Sequence, residues 1–151
     1  MCHSIIRLYQ FIFKGVDQLQ SIFAVVLRAW LAQVFFMSGL TKIQSWQTTL
    51  MLFEYEYAVP VISFELAAWL ATGAELLIPV LLVLGVLTRP AALALFVLNA
   101  VAMTSYPDIS TAGTKEHMMW GFMIATLFFY GAGKISIDYW ANKKCSCFGQ
   151  K

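Results

Sequence analysis

Charged residues are scarce in this chain. Only 12% of its 151 residues are Asp, Glu, Lys or Arg, whereas a soluble domain usually carries about 25%. Hydrophobic residues make up 60% of the sequence. A single soluble core of this size could not bury so much apolar surface, so we expect lipid to be part of the solvent. The formal net charge of +2 on so apolar a chain argues against nucleic-acid binding.

Cysteine and histidine are also few. The cysteines are Cys2, Cys145 and Cys147, and an odd number divided between the two ends does not form a disulfide framework. Their placement fits chain ends in a reducing compartment. The CSC sequence is a weak soft-metal motif because no second pair completes a tetrahedral site, so we interpret it as an exposed, disordered tail. We assign no metal site.

The N-terminal segment has the pattern of an amphipathic helix. In HSIIRLYQFIFKGVDQLQ, residues 3–20, polar side chains recur every three or four positions and most of the others are apolar. This pattern predicts a helix that lies in the membrane interface. We therefore assign residues 1–21 to an interfacial amphipathic helix. The alternative is that they are the early turns of the first spanning helix.

Four apolar segments follow, at residues 22–43, 64–87, 89–106 and 117–137. Each is close to the ~20 residues that a helix needs to cross a bilayer. The ~10-residue alternating segments of a transmembrane barrel are not present. The expected fold is therefore all-α, with a four-helix transmembrane bundle over residues 22–140. A polar cytoplasmic tail follows at 141–151.

The basic residues predict the orientation of this bundle. Most of them lie in the N-terminal segment, the turn between the second and third spans, and the tail, at Arg7, Lys14, Arg89, Lys143, Lys144 and Lys151. The positive-inside rule then places both termini in the cytoplasm of the cell. The connections at 44–63 and 107–116 are expected to be loops on the opposite, outer side.

Arg28 and Lys42 interrupt the first span, where a charge costs roughly 2.5–3.5 kcal/mol at mid-helix. The antiparallel second span offers Glu65 and Glu75 as partners. Counting about 1.5 Å of rise per residue from the outer ends, Lys42 and Glu65 lie at a similar depth and are expected to pair. By the same count, Arg28 and Glu75 share a deeper polar layer with Asn99.

These charged residues have two interpretations. They are structural pairs that fix helix order, or they line a pocket for a polar head group or relay protons, which is the default hypothesis for ionisable residues in a membrane. The aromatic and acidic residues 54–57 and Tyr106 are expected near His117, at the outer mouth of such a pocket. Catalytic residues cannot be assigned. The candidate residues for binding a quinone or another polar ligand are Arg28, Lys42, Glu65, Glu75, Asn99 and His117.

Three segments, in this order and spacing, resemble the DoxX family of small four-helix membrane proteins. They are Arg28 followed by GLTKI at 39–43, TGAELLIPVLLVLGVLTRPAAL at 72–93, and YGAGKISID at 130–138. The likeness covers about residues 22–140. The LFEYEYAVP and SYPD sequences resemble a proteobacterial branch. The chain departs from the family's G-P-G near the fourth span, where it has GAG at 131–133.

This resemblance implies an inner-membrane protein with both termini inside. The family takes its name from a subunit tied to archaeal quinone-linked oxidation of sulfur compounds. Other members are associated with oxidative-stress or thiol-redox complexes, or occur near genes for copper-binding peptides. We therefore expect a subunit of a quinone-linked or thiol-redox complex that has a protein partner. It would have no intrinsic cofactor and no redox metal centre of its own, and quinone is the expected bound molecule.

Two other classes of function remain open. A non-enzymatic membrane scaffold would use the acidic, aromatic 44–63 connection and the basic tail as contact surfaces. A small-molecule permease would require a homo-oligomer, and no pair of broken helices is present to support it. In each case membrane lipids are expected partners and nucleic acid is not.

Overall fold

The computed structural model describes residues 2–57, 59 and 61–148, with side chains from residue 13 to 144 except at 14, 17, 18, 58 and 60. Every element in the described part is a helix, which confirms the predicted all-α fold. The helices are α1 (Cys2–Gln44), α2 (Trp46–Tyr55), α3 (Phe64–Leu84), α4 (Thr88–Ser105), α5 (Thr111–Tyr130) and α6 (Ile137–Phe148).

Four of these helices form the bundle. Helices α1, α3, α4 and α5 alternate in direction along the chain, and α1 packs on α3, α3 on α4, α4 on α5 and α5 on α1. The short helix α2 covers one end of the bundle, against α1 and α3. We refer to this end as the α2 end. The opposite end, where α3 turns into α4 and where α6 begins, is the α6 end.

The core of the bundle is apolar and its outer surface is apolar too. Ala24, Leu27, Leu31 and Phe35, spaced three or four residues apart, bury one face of α1. This face packs on buried residues of the other three bundle helices, Leu82, Ala91, Ala92, Leu95, Ile124 and Leu127. Large apolar side chains are also exposed along every bundle helix, among them Trp30, Leu77, Phe96 and Phe122. So much exposed apolar surface is typical of a protein that faces lipid.

Within the described part of the chain, three helices are long and apolar enough to cross a membrane, by length and composition: Leu19–Gln44, Phe64–Leu84 and Thr88–Ser105. Helix α5 has 20 residues and completes the bundle. Its mean hydropathy is lower than that of these three helices, because its second turn carries Lys115, Glu116 and His117.

The connections differ from the predicted loops. Residues 44–63 contain helix α2, and α5 begins at Thr111, six residues before the predicted start of the fourth span at residue 117. The Ser110 side chain caps α5 by accepting a hydrogen bond from the Gly113 N–H at 3.0 Å, and such a cap allows a helix to begin among polar residues. The same helix ends at Tyr130, not at 137, because Gly131 leaves the helical conformation with φ of 81°.

The two ends of the chain are helical. Helix α1 runs without a break through residue 21, so residues 2–21 continue directly into the spanning part, as the alternative interpretation has it. Whether they lie in the interface stays a prediction. The prediction of a disordered tail is wrong as far as Phe148, because helix α6 extends from Ile137 to that residue. The side chains of the CSC sequence lie outside the described residues.

The α6 end is built from backbone groups and their caps. Helix α3 ends at Gly85, whose φ of 66° is left-handed, and an added Cβ there would lie 2.6 Å from the Ser136 Cβ. The Asp138 carboxylate accepts hydrogen bonds from the N–H groups of Leu87 and Thr88, both at 2.8 Å. A carboxylate at a helix N-terminus satisfies free N–H groups and the helix dipole together. Helix α6 is thereby joined to the start of α4.

Candidate functional site

Lys42 of α1 forms an ion pair with Glu75 of α3. The Lys42 Nζ lies 2.9 Å from Glu75 Oε1, 2.7 Å from Oε2 and 2.9 Å from the Ser38 Oγ. Glu75 is only 7% exposed. Gly39 allows the two helices to approach here, since a Cβ on it would lie 2.9 Å from the Leu76 Cγ. The pair is therefore an internal feature of the bundle.

The predicted pairs of Lys42 with Glu65 and of Arg28 with Glu75 are wrong. The prediction compared the depths of the backbone positions, but side chains on a helix point toward its N-terminus. Lys42 therefore reaches back into the bundle, while Glu75, on an antiparallel helix, reaches toward the α2 end. The two side chains meet between their backbone positions. Glu65 is exposed in the first turn of α3, where a negative charge suits the helix dipole.

Arg28, also on α1, lies nearer the α6 end of the bundle and reaches toward that end. It is 2% exposed, and its guanidinium donates to the carbonyl oxygens of Ala24, Leu82 and Val83, each at 3.3 Å, and to that of Ile135. The carbonyls of the last turn of a helix have no partner within the helix. Arg28 donates to two of these carbonyls in α3, those of Leu82 and Val83, and places a positive charge at the negative end of the helix dipole. We interpret Arg28 as a structural residue.

Asn99 and His117 form a second polar pair, between α4 and α5. The Asn99 Nδ2 donates to the His117 carbonyl oxygen at 2.9 Å, and the Asn99 Oδ1 lies 2.8 Å from the His117 Nδ1. Asn99 is 4% exposed. The predicted layer of Asn99 with Arg28 and Glu75 is therefore wrong, because Asn99 uses both ends of its amide on one residue of the neighbouring helix.

A cavity of about 410 Å³ at the α2 end brings the two polar pairs together. Lys42 and Glu75 line it from α1 and α3, and His117 lines it from α5. Asn99 supports His117 from behind. The volume lies within the range of about 300–1,000 Å³ that small-molecule sites occupy. Of the six candidate residues, Arg28 and Glu65 do not take part.

Aromatic side chains form much of the cavity wall. They are Phe35, Phe53, Tyr57, Tyr106 and Trp120. The Trp120 ring meets the rings of His117 and Phe35 edge to face, with centroids 4.9 and 5.8 Å apart. The rings of Tyr57 and Tyr106 are 5.4 Å apart. Burial, and next the neighbouring Tyr106, raises the pKa of the Tyr57 phenol, so its hydroxyl is neutral and can hydrogen-bond a ligand.

The sequence predicts some of the aromatic residues of the cavity wall but not all of them. Tyr57 and Tyr106 were expected near His117, and the structure brings all three into one cavity. Phe35, Phe53 and Trp120 were not expected there, because an aromatic residue in an apolar segment looks the same whether it faces lipid or the bundle. A period of three to four from Ala24 through Leu31 to Phe35 was the available signal for Phe35.

The described residues contain no group of three or more His, Cys, Asp or Glu side chains placed to hold a metal ion. The polar groups of the cavity are instead arranged as two separate pairs. What the cavity offers chemically is a set of hydrogen-bonding groups in an apolar, aromatic surround, which suits an organic ligand with a polar ring.

A ring of antiparallel helices with an apolar outer surface and an internal polar cavity defines a helical, multi-pass membrane protein. A sequence model of the DoxX family matches residues 23–107, which is more than half of the chain. This chain belongs to the DoxX family. The match includes Lys42, Glu75 and Asn99 and ends before α5, so it does not extend to His117.

One curated relative is a protein of Haemophilus influenzae that is 34% identical over 121 residues, covering 76% of this chain and 80% of that protein. It is described only as an uncharacterized protein, so it lends no activity to this chain. No solved structure matches the chain.

Proposed function

We propose that this protein is a subunit of a quinone-linked or thiol-linked redox complex in the bacterial inner membrane. The cavity at the α2 end would bind the quinone. The observation that carries the proposal is the cavity itself, an aromatic-walled space of about 410 Å³ inside the bundle that contains the Lys42–Glu75 pair and His117. An apolar wall with a few convergent polar groups is typical of small-molecule sites.

The chemistry of the lining favours a ring with polar substituents. Phe35 and Trp120 offer ring faces and edges on which a planar ligand can pack. Glu75 and His117 offer hydrogen-bonding atoms to its substituents. The family's association with quinone-linked oxidation supports a quinone over other amphiphilic rings. Quinones are themselves lipid-soluble, so a site within the bundle is suited to receive one.

The orientation of the protein is part of the proposal. The distribution of Lys and Arg supports a cytoplasmic location for both termini, and in this orientation the α2 end faces the periplasm. A protein partner that exchanges electrons with the bound quinone would contact this end, where the cavity lies.

Retention of quinone by the purified protein tests the proposal. We would isolate the protein in native-lipid discs and measure bound quinone by mass spectrometry, beside Glu75→Gln and Glu65→Gln. Both substitutions remove one negative charge from α3, but only Glu75 lines the cavity. We expect quinone in the wild type and in Glu65→Gln, and a loss of about fivefold or more in Glu75→Gln, because a hydrogen bond to a charged group is worth about 1.5–3 kcal/mol.

Size-exclusion profiles and melting temperatures would confirm that both variants fold. A wild-type protein that carries no quinone after gentle extraction would refute the proposal. In that case a protein that co-purifies equally with wild type and Glu75→Gln would point to a scaffold.

A further inference from the structure

The Asn99 side chain determines which nitrogen of His117 carries the proton. A backbone carbonyl oxygen only accepts hydrogen bonds, so the amide nitrogen of Asn99 must be the atom that faces the His117 carbonyl, at 2.9 Å. The amide oxygen then faces the His117 Nδ1, at 2.8 Å. An amide oxygen also only accepts, so Nδ1 must be protonated. In the neutral ring, Nε2 is then a lone-pair acceptor.

Helix α5 allows this arrangement because Gly121 lies one turn after His117. A Cβ at that position would lie 3.5 Å from the Asn99 Nδ2, which is ordinary van der Waals contact, so the amide packs closely on α5 and only a side chain longer than that of alanine would crowd it. The contact between Asn99 and His117 therefore depends on Asn99 of α4 and on the small residue Gly121 of α5.

The His117 Nε2 atom is available to a ligand. His117 lines the cavity, and no described residue forms a hydrogen bond with its Nε2. This atom is also not sealed away from solvent, in contrast to the buried, unpartnered hydroxyl oxygens of Thr72 and Thr88. Nε2 is thus an open acceptor on a side chain that lines the cavity.

The Lys42–Glu75 pair offers acceptors as well. An ammonium group has three N–H donors, and those of Lys42 have three protein acceptors, namely the Ser38 Oγ and the two carboxylate oxygens of Glu75. The Lys42 ammonium group is thus held by Glu75 and Ser38. Each carboxylate oxygen keeps a further lone pair, so Glu75 can still accept a hydrogen bond from the cavity.

The other polar groups of the cavity wall add no hydrogen-bond donor whose role is fixed. The hydroxyls of Ser38, Tyr57 and Tyr106 rotate, and each can donate or accept. The Ser110 Oγ already accepts from the Gly113 N–H, and Glu116 adds a further carboxylate. The groups whose role is fixed, the His117 Nε2 and the Glu75 carboxylate, are acceptors, and a ligand must bring a hydrogen to each of them.

We infer that the cavity recognises its ligand through hydroxyl groups on the ligand's ring, and so binds the quinol form of a quinone more tightly than the oxidised form. This inference rests on the proposed function. A ring carbonyl at the same place would face the lone pair of the His117 Nε2 and leave both partners without a hydrogen bond. We expect a preference of about fivefold or more for the quinol, because a ligand without the hydroxyl leaves a buried acceptor unpaired.

The test compares the two redox forms of one probe. Decyl-ubiquinol and decyl-ubiquinone would be titrated anaerobically into the protein in lipid discs, with quenching of tryptophan fluorescence as the signal, since Trp120 lines the cavity. The variant is His117→Asn, whose amide nitrogen can still donate to Asn99 while the Nε2 acceptor is gone. We expect the quinol to bind more tightly to the wild type and the preference to disappear in the variant.

The outcomes separate the inference from the proposed function. Equal binding of both forms, or tighter binding of the quinone, overturns the inference and leaves the quinone site standing. Binding of neither form overturns both. A nitrogen-15 spectrum of the histidines gives an independent measurement, with the Nδ1–H tautomer expected for His117. An Nε2–H or doubly protonated ring overturns the inference whatever the affinities are.

Discussion

At the scale of single residues, the two cations of α1 have different roles. Lys42 pairs with a carboxylate, whereas the partners of Arg28 are four backbone carbonyls. Carboxylate side chains can be identified from the residue type, but every residue has a backbone carbonyl, and the sequence does not show which carbonyls are left free at the end of a folded helix. For this reason Glu75 could be predicted as an ion-pair partner for a cation of the first span, while the partners of Arg28 could not.

Arg28→Lys is expected to lower the free energy of unfolding by about 3 kcal/mol, because one ammonium nitrogen cannot reach carbonyls that the planar guanidinium spans, and buried acceptors are left unpaired. Thermal or SDS unfolding in detergent micelles would measure the change. The matched control is Arg89→Lys at the same end of the bundle, since Arg89 is exposed and makes one long hydrogen bond, of 3.4 Å, to Phe129. Equal stability of the two variants would contradict the structural role of Arg28.

At the scale of the elements, the contact between α1 and α3 sets the geometry of the cavity. The sequence predicted the existence and direction of these helices from their apolar lengths. It also suggested Gly39 as a small residue near Lys42. It did not give the pairing, because that depends on the direction in which Lys42 and Glu75 point from their helices. Helix α2 was missed because its aromatic and acidic residues gave no clear helical period.

Gly39→Val is expected to push α3 away from α1 and to separate Lys42 from Glu75. A Cβ at this position would already lie 3.1 Å from the Glu75 Cβ, and overpacking of this kind costs about 1–3 kcal/mol. Gly73→Val on α3 is the control, because an added Cβ there meets nothing within 4 Å. Melting temperature and quinone retention should both fall for Gly39→Val and remain close to wild type for Gly73→Val.

At the scale of the whole molecule, the number of crossings decides where the termini lie. Among the described residues, three helices have the length and composition of a membrane span, and α5 is a fourth, less apolar helix. In the structure α5 packs against both α4 and α1, so it occupies the same layer as the others. Composition alone could not settle this, since the polar second turn of α5 lies at the end of the bundle and around the cavity.

Labelling of cysteines with a membrane-impermeant maleimide tests the count of crossings. In spheroplasts, variants that retain only Cys2 or only Cys145 should react after permeabilisation and not before, since four crossings and a cytoplasmic N-terminus place both on the inside. In a variant without the native cysteines, Tyr55→Cys should react in intact spheroplasts, because Tyr55 is 77% exposed at the α2 end. Labelling of Cys2 and Cys145 from opposite sides would show that α5 does not cross.

The position of Arg28 has a consequence for the synthesis of the protein. Its guanidinium binds carbonyls that follow it by 54, 55 and 107 residues along the chain. While the ribosome is still making α3 to α5, this cation has only part of its final set of ligands. Until the segment around Ile135 has been made, the Arg28 guanidinium lacks one of its carbonyl partners. The bundle therefore satisfies this buried charge only after its fourth helix is in place.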